Sequence, residues 1–190
     1  MNPNDQQTAL LIMDMQIGIL KNLPVTAPLI SNVANAIRHA RYKNIPVVYV
    51  RVGFRHTLPE ISMNNKSFAT FGERLANTSM HSFMEIHADL APLQDDIVVD
   101  KRRISAFTGS DLEVILRANN LRHIVLTGVS TSGVVLSTTR EAADKDYKIT
   151  VLSDCCADAD PEVHAVLMKK IFPRQADVIT VEEWHKQLDA

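Results

Sequence analysis

The chain has 190 residues, 46% of them hydrophobic, and 20 basic against 22 acidic side chains for a net charge of -2. That length suits one domain with a sizeable core, and the near balance of charge removes the electrostatic basis for binding nucleic acid or an anionic membrane face. No apolar run reaches the ~20 residues of a membrane span, and the polar opening Met1-Asn2-Pro3-Asn4-Asp5 lacks the basic and apolar regions of a leader, which predicts a cytoplasmic protein.

Along the chain, short β-branched runs alternate with longer segments of helical period, the pattern of a parallel sheet covered by helices on both faces. Six strands are predicted, at residues 9–13, 46–51, 96–100, 123–127, 148–152 and 177–179, the last a short edge. Apolar residues three and four apart predict helices over 29–43, 111–119, 132–144 and 161–172. Ser110 with Glu113 reads as a capping box, Asp160 before Pro161 as a helix start, and Asn119-Asn120 as a helix stop. The expected fold is a three-layer, Rossmann-like α/β domain over residues 1–190, with a central six-stranded, mostly parallel sheet. Residues 52–95 show no sustained period and are expected to form either a surface excursion or a lid over the site. Their Phe54, Arg55, Phe68, Phe71 and Arg74 are candidates for a subunit interface, with local core as the alternative. Cys155 and Cys156 are adjacent, a spacing that disfavours a disulfide and fits a reducing compartment.

Ligands of open parallel sheets bind beyond the carboxyl ends of the strands, so polar residues ending strands mark the chemistry. The first strand runs into Asp14-Met15-Gln16 and the third into Asp100-Lys101-Arg102-Arg103. The fourth ends in Thr127-Gly128-Val129-Ser130-Thr131-Ser132-Gly133, whose small residues allow a backbone to approach a ligand. Taken as neighbours, these three strand ends offer an acid, a base and a row of backbone donors.

In this combination the sequence resembles the isochorismatase-like hydrolases, also called the cysteine hydrolase superfamily. The resemblance rests on Leu-Leu-Ile-Met-Asp14-Met-Gln16, on Lys101-Arg-Arg103-Ile-Ser105-Ala106-Phe107, on Thr127-Gly128-Val129-Ser130-Thr131, and on Ser153-Asp154. It implies that Asp14 is the acid/base residue, that Lys101 is its cationic partner, and that the Val129-Ser130 bond is a cis peptide forming an oxyanion turn. It also implies substrate contacts from Gln16, Phe107 and Gly133, and a homodimer or higher oligomer. The sequence departs from the family where most members carry a nucleophilic cysteine, because Val134 occupies that position. Cys155 and Cys156 follow the fifth strand and are expected to be inert. The metal-binding Asp-x-His cluster of the nicotinamidase branch is replaced by Arg51-Val52-Gly53-Phe54-Arg55-His56, so neither metal nor other cofactor is expected.

Three functions compete for a small-molecule site of this kind. In the first, resembling the true isochorismatases, Asp14 protonates the methylene carbon of an enol ether while Lys101 pairs with a substrate carboxylate. In the second, an amide or other C-N bond is hydrolysed by water that Asp14 activates, or by a hydroxyl of Ser130, Thr131 or Ser132, although hydroxyls need a well-placed base. In the third, the fold survives as a binding protein without catalysis.

Overall fold

β1 (Thr8–Met13) is buried along its whole length. Ala9, Leu11 and Met13 enter one apolar cluster, and Leu10 and Ile12 enter another. Successive strand residues point to opposite faces, so an unbroken apolar run is what a strand covered on both sides requires. The same logic produces β2 (Val47–Val52), β4 (His123–Val129) and the start of β5 (Lys148–Ala157). With β3 (Ile97–Lys101) and β6 (Asp177–Ile179) they form one six-stranded sheet in the order β3-β2-β1-β4-β5-β6, parallel at every pairing. The computed structural model describes residues 7–23, 26–75 and 78–190. The leaderless opening expected at residues 1–5 lies outside them.

On one face of the sheet pack α5 (Leu112–Ala118), α6 (Leu136–Asp144) and the helical run that begins with α7 (Pro161–Val166). On the other lie α2 (Ala27–Tyr42) and α8 (Val181–Asp189), which bury Val33, Ala36, Ile37 and Trp184. The expected three layers are present. Wide turns at Thr131–Val135 and Leu167–Ile171 interrupt the regular pitch of the two helical segments expected at 132–144 and 161–172.

Helix ends follow the local chemistry, with one exception. Asp160 accepts from the Glu162 and Val163 N-H groups at the start of α7, as expected. Ser110 and Glu113 do not form a capping box: Asp111 occupies the N-cap position of α5 without a side-chain capping bond, Ser110 Oγ donates to the carbonyl of Ala106, and Glu113 is drawn away by Lys145 at 2.6 Å. A cation across the surface outcompetes a backbone N-H for that carboxylate. The true capping box is Thr180 with Glu183 on α8.

The stretch 52–95 is more ordered than its sequence predicts. Besides α1 (Ile17–Leu20) before it, it contains α3 (Lys66–Leu75), α4 (Met80–Met84) and a short turn of helix at Ala88–Leu90. Phe54, Phe68 and Phe83 are buried in a satellite cluster, and Phe71 packs against it. Their rings meet edge to face, at 5.8 Å for Phe54 and Phe68 and 5.5 Å for Phe71 and Phe83. Phe54 and Phe68 are therefore local core, Phe71 is half-buried beside them, and Arg55 is paired with Glu60.

Candidate active site

The strand order reverses beside β1, which has β2 on one side and β4 on the other. That switch point is where an open parallel sheet parts to form a crevice. Two glycine-dependent features bring the chain together there. Gly128 has φ +146°, and a Cβ on it would lie 2.3 Å from the carbonyl oxygen of Met13, so β4 closes on the end of β1 only with a glycine. Gly133 leaves the space that the Ser130 hydroxyl fills, since a Cβ there would lie 2.7 Å from Ser130 Oγ.

Asp14 follows β1 with φ 56°, a left-handed conformation that aspartate tolerates better than most residues. Its N-H donates to the Val50 carbonyl at 2.8 Å, so the turn is tied to β2. Lys101 ends β3. The strand ends are not consecutive as expected, because β2 lies between β1 and β3. The lysine side chain crosses the end of β2 and places Nζ 2.9 Å from Asp14 Oδ2.

Lys101 has no donor left for a substrate. Its ammonium carries three N-H bonds, and it meets three acceptors: Asp14, the Arg103 carbonyl at 3.0 Å and the Ile104 carbonyl at 2.8 Å. The expectation that Lys101 pairs with a substrate carboxylate is thus corrected; the residue is only 2% exposed and is committed inside the protein. Asp14, by contrast, keeps Oδ1 buried without a hydrogen-bond partner. Burial pushes the Asp14 carboxyl above its ordinary range, and the attraction of Lys101, which acts the other way, does not offset it.

Asp14, Lys101, Val129, Ser130, Gly133 and Val134 line one cavity of about 300 Å³, at the small end of the range for metabolite pockets. The Val129-Ser130 peptide is cis, as the resemblance implies. Two N-H groups of the following turn are already taken, Ser132 by Asp158 Oδ2 at 2.7 Å and Gly133 by the Ser130 carbonyl at 3.1 Å. Thr131 is fully buried and bonded to His164 Nδ1 at 2.8 Å, so its hydroxyl is held away from the cavity. Val134 closes the wall with an apolar side chain.

Two expected contacts are not made. Gln16 is fully buried, with its amide spent on both backbone groups of Val52 and on the Phe83 carbonyl. It fixes β2 and α4 against the site instead of lining it. Phe107 lies in the main core beside Tyr147, with ring centroids 5.7 Å apart. The aromatic wall is supplied by Phe68 and Phe71 of α3, so the stretch 52–95 does reach the site. Arg103 also lines the cavity and was not singled out from the sequence. Its signal, a second cation two residues after Lys101, is lost among the surrounding basic residues.

A carboxylic acid, its ammonium partner and a cis turn meet at the switch point of a parallel α/β sheet, a site built for acid-base chemistry on a small molecule. The isochorismatase-domain profile matches residues 8–183, and the chain belongs to the isochorismatase family. It is 33% identical over 183 residues to the isochorismatase family protein YecD of Escherichia coli O157:H7, covering 95% of each chain. It is 28% identical over 201 residues to the ureidoacrylate amidohydrolase RutB of Cronobacter turicensis, covering 93% of this chain and 82% of that one. Among solved structures, an isochorismatase family protein of Burkholderia thailandensis superposes with a TM-score of 0.86 at 26% identity, over 97% of both chains.

Proposed function

We propose that this hydrolase cleaves a small organic acid of the enol-ether type by proton transfer from Asp14, with no covalent intermediate. The observation that carries this reading is Val134 on the cavity wall, which by the sequence resemblance takes the place of the family's thiol. A valine cannot attack, which leaves acid, activated water or the Ser130 hydroxyl on the same wall to break the bond, and a hydroxyl needs a well-placed base. Asp14 suits the acid: Lys101 engages Oδ2, and unpartnered Oδ1 carries the proton. Burial favours the neutral carboxyl that such a donor requires.

In the step itself, the proton of Asp14 passes to the terminal methylene carbon of the vinyl ether, whose π electrons form the new C-H bond. The ether oxygen stabilises the resulting oxocarbenium ion, and water adds to its carbon. The hemiketal then collapses to pyruvate and the ring alcohol, while Asp14 regains a proton from the added water. Apolar Val134, Phe68 and Phe71 exclude bulk water and keep the acid neutral.

A second reading is hydrolysis of an amide or ureido C-N bond, favoured by the likeness to a ureidoacrylate amidohydrolase. There Asp14 would have to act as an ionised base on water, against the direction in which burial moves it. Incubation with isochorismate and with a panel of small ureido acids and amides separates the readings. Pyruvate release is expected; ammonia without pyruvate overturns the enol-ether reading, and neither product supports a binding protein. We further propose a cytoplasmic homodimer or higher oligomer, on the family likeness and on the two free, buried cysteines. Sedimentation as a monomer at micromolar concentration would count against the oligomer.

A further inference from the structure

We propose that Arg103 is the residue that selects an anionic substrate, receiving its carboxylate, while Lys101 is reserved for Asp14. The proposal deepens the reading of this cavity as the substrate site and rests on it. Three ionisable side chains line the cavity: Asp14, Lys101 and Arg103. Lys101 spends its three donors on Asp14 and on the Arg103 and Ile104 carbonyls, so Arg103 is the cation left with donors free for a ligand.

Three neighbouring arginines are paired. Arg51 meets Asp100 at 2.8 Å, Arg55 meets Glu60 at 2.5 Å, and Arg102 meets Glu60 at 3.6 Å. Among the described residues Arg103 makes no ion pair, and its guanidinium makes one hydrogen bond, from Nη1 to the Arg102 carbonyl at 2.7 Å. A guanidinium has five N-H donors in a planar fork that matches a carboxylate, so most of its capacity is unspent.

It is also held in place. Its backbone carbonyl is gripped by Lys101 Nζ at 3.0 Å, and its guanidinium carbon lies 5.6 Å from the centroid of the Phe68 ring. The lysine that orients the acid therefore also anchors the chain from which the arginine reaches the cavity. A flat substrate lying along Phe68 and Phe71 would meet Arg103 at one end and Asp14 at the other.

The test uses benzoate and benzamide as probes, which share a flat ring and differ in one charge, with binding measured by titration calorimetry at neutral pH. Wild type should bind benzoate about tenfold or more tightly than benzamide, as expected for a charge-assisted bidentate contact. Arg103→Gln should bring the two probes level, Arg103→Lys should restore part of the preference, and Arg102→Gln should leave it unchanged. Equal binding of the probes by wild type, or absence of binding by both, overturns the proposal, as does a preference that survives in Arg103→Gln. The readout needs no turnover. Failure to hydrolyse isochorismate would sink the enol-ether reading alone, whereas loss of the arginine dependence would sink only this inference.

Discussion

Asp14 is pulled in two directions, and its chemistry depends on which wins. Burial raises its pKa; the ammonium of Lys101 at 2.9 Å lowers it; the net direction is upward. A proton donor works only while protonated, so kcat/KM should be level at low pH and fall as pH rises through this raised value. Removing the opposing charge must move the pKa further up. Lys101→Met is therefore expected to carry the decline in kcat/KM to higher pH and widen the active range, whereas for a base, whose activity is lost on the acidic side, the same rise in pKa would narrow it. A profile in which activity instead rises with pH would rule out Asp14 as the acid. Asp14→Asn removes the transferable proton and should lower kcat by at least ~10²-fold, the lower end of what a positioned acid contributes. Substrate binding should persist in that variant, and a fully active Asp14→Asn protein would refute the mechanism.

At the scale of the element, the site depends on how closely β1 and β4 approach at the switch point. A Cβ at residue 128 would press on a backbone oxygen, 2.3 Å away, and the φ of +146° is itself foreign to alanine. Gly128→Ala is expected to cost about 1 to 3 kcal/mol, the usual range for overpacking, and to lower kcat by displacing Asp14 from the turn. Unchanged thermal unfolding and activity in this variant would show that the strands can part without consequence. Much of this architecture was legible beforehand. Unbroken apolar runs announced strands covered on both faces, and polar residues after them marked Asp14 and Lys101. The helix α3 was missed although Phe68, Phe71 and Leu75 have helical spacing, because it spans only ten residues and puts Gly72 on its buried face. Gln16 and Phe107 could not be assigned by position. Whether a side chain following a strand turns to the cavity or to the core depends on partners distant in sequence, here Val52 and Tyr147. The same holds for Lys101, whose spent donors become visible only with the carbonyls of Arg103 and Ile104 in place.

At the scale of the whole molecule, the two cysteines report on how the layers hold together. Cys155 packs with the α2 and α8 side of the sheet and Cys156 with the opposite side, on successive residues of β5. Burial raises the thiol pKa of both, Cys156 to about 12 and Cys155 beyond that, with the carboxylate of Asp154 adding to the effect. Thiolate is the reactive form, so neither can attack a reagent from the native state at neutral pH. Iodoacetamide is accordingly expected to leave activity intact, in contrast to a thiol-dependent hydrolase. Labelling should require opening of the sheet, and its rate should follow the free energy of that opening as denaturant is added. Because the two thiols face different helix layers, both should become reactive together if those layers separate cooperatively. Mass spectrometry of partly labelled protein distinguishes the outcomes. Unlabelled and doubly labelled chains alone indicate one cooperative unit, while a large singly labelled population would show that one layer of helices opens before the other. Rapid labelling of active protein with loss of turnover would contradict both the buried placement of the thiols and a mechanism that dispenses with them.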